Sequence, residues 1–311
     1  MSFGSMEIRI QNVNMTNMTP RTQVPILIAL CGVSIWFSWH PLVTTFRLAL
    51  ANDAYTHILL IIPLSAALIY MEHGYAHTKS LPLDARPNPL PAAVLLVVAL
   101  LLACYARWGP LGSSDDLGLS LGMFALVTWC VASVWLCFGA TTLHSFLFPL
   151  CILFLVVPIP DFVLSRIVEF LQHQSAFTAR LMFRAVGVPA TQDGIIVSIP
   201  GLDIEVAREC SSIRSSILLV VTTMALAHLF LRSWWRKALL IAAAIPLAVA
   251  KNGLRIFTIA ELGTRVDRGF LDGKLHHNGG VLFLGVAVVA VSVLLWALRR
   301  TELPLSSGHR L

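Results

Sequence analysis

Of 311 residues, 57% are hydrophobic and only 12% are charged, with a mean hydropathy of +0.79. Soluble domains carry roughly 25% charged residues, so this balance excludes an ordinary soluble chain and points to a polytopic membrane unit. The formal charge of +6 does not indicate a nucleic-acid partner, because Lys and Arg gather at the ends of apolar runs, where they set orientation.

Residues 1–23 read as a disordered cytoplasmic tail, rich in Met, Asn and Thr and without apolar period. The first apolar run has no small-residue cleavage signal after it, so it reads as a retained span and not as a signal peptide. A bilayer core needs about 20 mainly apolar residues per helix. The runs that qualify are 24–40, 55–71, 90–107, 117–138, 141–158, 211–231, 237–258 and 279–298, eight in all, the second and fifth short or bounded by proline. The expected fold class is therefore an all-α polytopic membrane protein, one domain over 24–298, with a cytoplasmic tail at 299–311.

Basic residues set the orientation. With the N-terminus inside, the inner segments hold Arg9, Arg21, Lys79, Arg86, Arg232, Arg236, Lys237, Arg299, Arg300 and Arg310. The short outer loops hold only Arg47 and Arg107, and the turn at 138–141 holds none. Both termini are expected to be cytoplasmic, and the long connections 159–210 and 259–278 to face outward.

The insertion at 159–210 has two parts. Over 161–186, "DFVLSRIVEFLQHQSAFTARLMFRAV", apolar residues on one side interleave with Arg166, Glu169, Gln172, Arg180 and Arg184, as in an amphipathic interfacial helix. Beyond it, "GIIVSIPGLDIEV" reads as a small hairpin turning at Pro200-Gly201, since Pro then Gly suits the centre of a type II turn. Asp203 and Glu205 alternate there with Ile204 and Val206, as in a half-buried strand.

The unusual polar residues converge under this topology. Cys210, in "VARECSSIRSS", falls at the outer entrance of the sixth span, while five other cysteines (Cys31, Cys104, Cys130, Cys137, Cys151) lie in apolar runs as small hydrophobes. Asn252 and Arg255, in "KNGLRIF", fall near the outer exit of the seventh, and His276 and His277, in "KLHHNGG", just before the eighth. A thiol attacks only as thiolate, which the first turn of a helix favours, and Arg214, four residues on, lies on the same helical face. A histidine can take the thiol proton and later protonate a leaving amine. An arginine, charged at any relevant pH, can hold the oxyanion of a tetrahedral intermediate, where losing one donor costs roughly 3–4 kcal/mol in the barrier. Singly, each has a bland reading: a packing cysteine, a snorkelling arginine, loop histidines. His73 and His77 give two ligands at most, and no CxxC occurs, so neither a metal nor another cofactor is expected.

These stretches resemble the exosortase/archaeosortase family of membrane cysteine transpeptidases. "GVPATQDGIIVSIPGLDIEVARECSSIRSS" is similar to the family's strand-rich approach to its Cys-Ser-Gly-(Ile/Leu)-Arg motif, with Ser212 where the family has Gly. "LRSWWRKALLIAAAIPLAVAKNGLRI" is similar to the family's next loop, helix and Asn-x-x-Arg motif, and "LHHNGGVLFLGVAVV" to its closing histidine segment. The likeness covers about 160–298 and is looser before it, where "YTHILLIIPLSAALIY" resembles the second span. It implies Cys210 as nucleophile, Arg255 as catalytic arginine and His276, four residues before Gly280, as catalytic histidine, with His277 as the neighbouring alternative and Arg214 and Asn252 in support. It also implies the partners: C-terminal sorting tails of exported proteins (a short motif, often Pro-Glu-Pro in bacteria, then one span and a basic end) and an unknown envelope acceptor. The membrane lipid itself is the surrounding partner. The alternative is a non-catalytic membrane scaffold or a transporter linked to exopolysaccharide export. Against a transporter, few mid-membrane charges line a path and broken spans do not pair across two halves.

Overall fold

A computed structural model describes residues 20–78, 89–109, 116–206, 213–267 and 274–302, with side chains for 23–72, 89–109, 116–206, 213–267 and 280–302. The chain is mostly helical and has two compact units, 1–47 with 58–158, and 48–57 with 159–311. Among the described residues six helices are long and apolar enough to cross a membrane, or up to eight if each of two bent pairs is one span.

The first unit contains α1 (Pro20–Phe37), α2 (Trp39–Ala51, up to Arg47), α3 (Ile58–Thr78), α4 (Leu90–Trp108), α5 (Asp116–Ser145) and α6 (Leu147–Ile152), then a 3-10 turn at Leu153–Val156. α4 and α1 pack along α5. Small contacts hold them: Pro41 sits against Gly122, where a Cβ would come within 3.1 Å of its Cγ, and the Trp129 indole donates to the Leu30 carbonyl at 3.1 Å. Ser65 and Ser120 donate to the carbonyls of Pro149 and Pro158, each at 2.8 Å, pairing backbone acceptors that lipid would leave unpaired.

Two expectations change in this unit. The connection carrying Arg47 is not an open loop: after a break at Ser38 the chain resumes as α2, bent 73° from the first helix. The fifth apolar run is not one continuous span. The chain bends at Gly139 (φ 84) and then divides into the end of α5, the six-residue α6 and a 3-10 turn. Pro149, Pro158 and Pro160 in "FLFPLCILFLVVPIP" account for the interruptions after Ser145, since a proline ring clashes with the preceding helical turn.

The second unit contains α7 (Asp161–Ala185), a three-stranded antiparallel sheet, α8 (Ile213–Phe230), α9 (Trp234–Arg265) and α10 (Lys274–Arg300). The expected amphipathic helix is α7. Its buried residues Val168, Leu171, Gln172, Ser175, Ala176, Ala179 and Phe183 recur at helical spacing, with Arg166 and Glu169 outside. The expected hairpin is β2 (Ile196–Ile199) with β3 (Leu202–Glu205), turning at Gly201 with φ 83, and Asp203 and Glu205 face out as the alternation required. A third strand, β1 (Thr191–Asp193), joins β2 through Asp193↔Ile196, with Gly194 (φ 60) at the first position of the two-residue turn, the glycine place of a type II′ hairpin. The sheet packs on α7 and α9 through Val197, Ile199, Val206, Ala176, Phe183 and Ile256.

α9 packs against α7, α8 and α10. It begins earlier and ends later than its apolar run, so the connection expected over 259–278 is helical as far as Arg265. Leu219, Leu240, Ala248, Ala287 and Val291 fill the core between α8, α9 and α10. Past the end of α10, Glu302 accepts from the backbone N–H groups of Arg232 (3.0 Å) and Ser233 (3.1 Å) and meets the Arg236 guanidinium at 3.4 Å. These bonds, the Ser233 N–H foremost, hold the carboxyl below its ordinary value.

Candidate active site

The buried face of α9 includes Leu240, Ala244, Ala248, Lys251 with Asn252, Arg255 with Ile256, Ile259 and Gly263, positions that recur every three or four residues as one stripe. Continuing the helix through "AKNGLR" therefore turns three polar side chains inward. Lys251 is 4% exposed, Asn252 0% and Arg255 7%. Charged side chains at such a depth are costly in a membrane protein and mark function by default.

Gly253 permits the arrangement. A Cβ there would lie 2.7 Å from Cβ and Cγ2 of Thr178 and 3.2 Å from the Ala179 nitrogen, so α7 crosses α9 at backbone distance beside Asn252 and Arg255. The Thr178 hydroxyl turns back to its own helix, donating to Gln174 O at 2.8 Å.

Arg255 opens onto a cavity of about 1030 Å³ within the second unit. Its walls are Asn52–Ala54, the first turns of α7 (Asp161, Leu164, Ser165, Val168), the first turns of α8 (Ile213, Arg214, Ser215, Leu218) and Gly280, Val281 and Leu284 of α10. Two ties fix the Asn52–Tyr55 wall. Asn52 Oδ1 accepts from the Ala54 N–H at 3.0 Å, and Tyr55, 2% exposed, donates its hydroxyl to Ile159 O at 2.9 Å. The Arg214 guanidinium lies 2.9 Å from the Asp53 carboxylate, both largely exposed, a pair worth about 0–1 kcal/mol. Lys251 Nζ, one turn before Arg255, donates to the Ser215 hydroxyl on the cavity wall.

The residue after β3 is held from the sheet side. Val206, fully buried, donates its N–H to Ile195 O at 3.0 Å, and its carbonyl accepts from Gln172 Nε2 at 2.6 Å. Beyond Val206 the described chain resumes at Ile213 on the cavity wall.

The structure thus places Arg255 and Arg214 on one cavity, with Asn252 buried beside Arg255 on the same helix. Cys210 lies outside the described residues. His276 and His277 are in α10, but their side chains lie outside those described; the backbone puts both close before Gly280 and Val281, which line the cavity. His73 and His77 likewise fall outside the described side chains, and no group of metal-binding residues occurs among those described. Sequence reasoning missed Lys251, Ser215 and Asp53. The signal for Lys251 was present: a cation inside the apolar run "IPLAVAKNGL".

No curated protein and no solved structure matches the chain. The family model described as Transmembrane exosortase (Exosortase_EpsH) matches residues 45–293, which takes in the second unit's cavity and most of the first unit. The chain is a multi-pass membrane protein and belongs to the transmembrane exosortase family.

Proposed function

We propose that the protein is a membrane cysteine endopeptidase and transpeptidase that cuts the C-terminal sorting tail of exported proteins and passes the acyl group to an envelope acceptor. The observation that carries the reading is the convergence at Arg255. A buried guanidinium opens onto a cavity whose other walls include the start of α8 and the α10 turn at Gly280, segments far apart in sequence. Cys210 stands three residues before Ile213, and covalent geometry keeps its Cα within about 11 Å of that wall residue.

In this reading the Cys210 thiolate attacks the scissile carbonyl and forms a thioester while His276 takes the thiol proton. Arg255 faces the oxygen that gains charge, and Asn252 and Arg214 support the site. The acceptor then attacks the thioester and releases the thiolate. The site is on the outer face of the cytoplasmic membrane, both termini are inside, and a substrate tethered by its own span delivers its motif at the depth of the cavity. Pairing with Asp53 leaves Arg214 exposed at the rim, where an acidic motif residue can exchange with the aspartate.

Membranes carrying the full chain, mixed with a reporter that ends in a Pro-Glu-Pro motif, an apolar span and an arginine cluster, test the reading. Wild type shortens the reporter; C210A, R255A and H276A accumulate but do not, while H277A does. An unchanged shift in C210A favours the scaffold or transporter reading and ends this one.

A further inference from the structure

Lys251 has no task in acyl transfer by Cys210, His276 and Arg255, yet it is the most deeply placed lysine among the described residues and sits one turn from Arg255. Its Nζ donates to the Ser215 hydroxyl, and Ser215 and Arg255 line the same cavity. A hydroxyl that accepts from an ammonium still carries its own proton and can pass it on.

We propose that Lys251 and Ser215 form a proton relay that supplies the leaving amine and receives the proton of the incoming acceptor. The inference rests on the acyl-transfer reading and divides its proton work: the imidazole keeps the thiolate paired, and the relay serves the groups that leave and arrive. In the first half-reaction the C–S bond forms and the C–N bond breaks. The amine nitrogen takes the Ser215 hydroxyl proton, and Lys251 Nζ replaces it, going from ammonium to amine. In the second, the acceptor's N–H or O–H attacks the thioester. Its proton passes through Ser215 to the Lys251 amine, the C–S bond breaks, and the thiolate returns. Ser215 meets the reacting groups; Lys251 acts through it as a positioning residue and proton reservoir.

A leaving group that needs no proton separates this role from packing. In proteoliposomes holding the full chain, single-turnover release of the tail is monitored with two synthetic peptides. Both carry a Pro-Glu-Pro motif, an apolar span and an arginine cluster; one has an amide and the other a thioester at the bond that the wild-type protein cuts, mapped by mass. K251M should slow the amide by about 100-fold or more, the range of general acid–base assistance, and the thioester by less than about 3-fold. K251R, which keeps a cation but does not cycle its proton, should behave like K251M. S215A should show the same selective loss, and it carries the test alone if K251M does not accumulate in the membrane. Equal loss on both peptides, no loss on the amide, or restored amide cleavage in K251R overturns the relay. C210A should lose both peptides; a C210A that cuts both removes the acyl-transfer reading itself, whatever Lys251 does.

Discussion

Replacing Gly253 by alanine probes the crossing that sets Arg255 in place. The added methyl would sit 2.7 Å from two carbons of Thr178 and 3.2 Å from the Ala179 nitrogen. Carbon atoms pack at about 3.5–4.0 Å, so α7 and α9 must part by about 1 Å. Neither obstacle swings away: one is the Thr178 Cβ, fixed to the backbone, and another is the backbone itself. Overpacking of this kind costs about 1–3 kcal/mol, against which alanine returns about 1 kcal/mol of helix propensity over glycine. Because rigid atoms put the clash at the upper end, the net loss should be roughly 1–2 kcal/mol. Denaturant titration of the purified protein in detergent, read by helicity, measures it. Thr178→Ala keeps the Cβ and should relieve little; Thr178→Gly removes both carbons and should cut the G253A penalty by about half or more in a double-mutant cycle. G253A as stable as wild type, or a penalty untouched by T178G, would refute the close-approach argument.

Other expectations rest on single contacts. Q172L removes the bond to the buried Val206 carbonyl and should destabilise by about 1–3 kcal/mol in the same titration, because a buried acceptor loses a donor. D53N breaks an exposed pair and should change stability by less than about 1 kcal/mol. Glu302 is held below its ordinary value of 4.5, so its contribution is present above that value and is lost as pH falls through the lower folded value. The thermal midpoint of wild type should therefore drop more steeply than that of E302Q as pH falls below about 4.5. Parallel curves would contradict the part given to the Ser233 and Arg232 N–H groups.

Helices with a continuous apolar run were legible from composition, and α4, α8 and α10 begin and end within a few residues of expectation, apart from the early start of α10. The amphipathic α7 was legible because polar and apolar residues alternate at its period. The structure that escaped has causes other than periodic hydropathy. α2 mixes His40, Thr44, Thr45 and Arg47 with apolar residues, so its helix reads as a loop. The Asp193-Gly194 pair marked a second hairpin, but β1 is polar and three residues long. α9 outruns its apolar stretch because Ile259, Ala260 and Gly263 continue its buried stripe, while Glu261, Thr264 and Arg265 end the hydropathy signal. At the site, the motif residues were visible as types; that Lys251 reaches Ser215 across two helices was not, because no spacing in sequence encodes a contact between α8 and α9.

In the proposed reaction Cys210 carries the acyl group. Trypsin cuts after Arg208 and Arg214 and so isolates Cys210 in the segment Glu209–Arg214. Full-length protein turned over with the tail reporter, quenched in acid and digested, should yield that segment with the mass of the reporter's acyl fragment added, removable by neutral hydroxylamine and missing in C210A. A reporter that is cut at the wild-type rate while this segment keeps its unmodified mass at every quench time, or an adduct found on another residue, would contradict it.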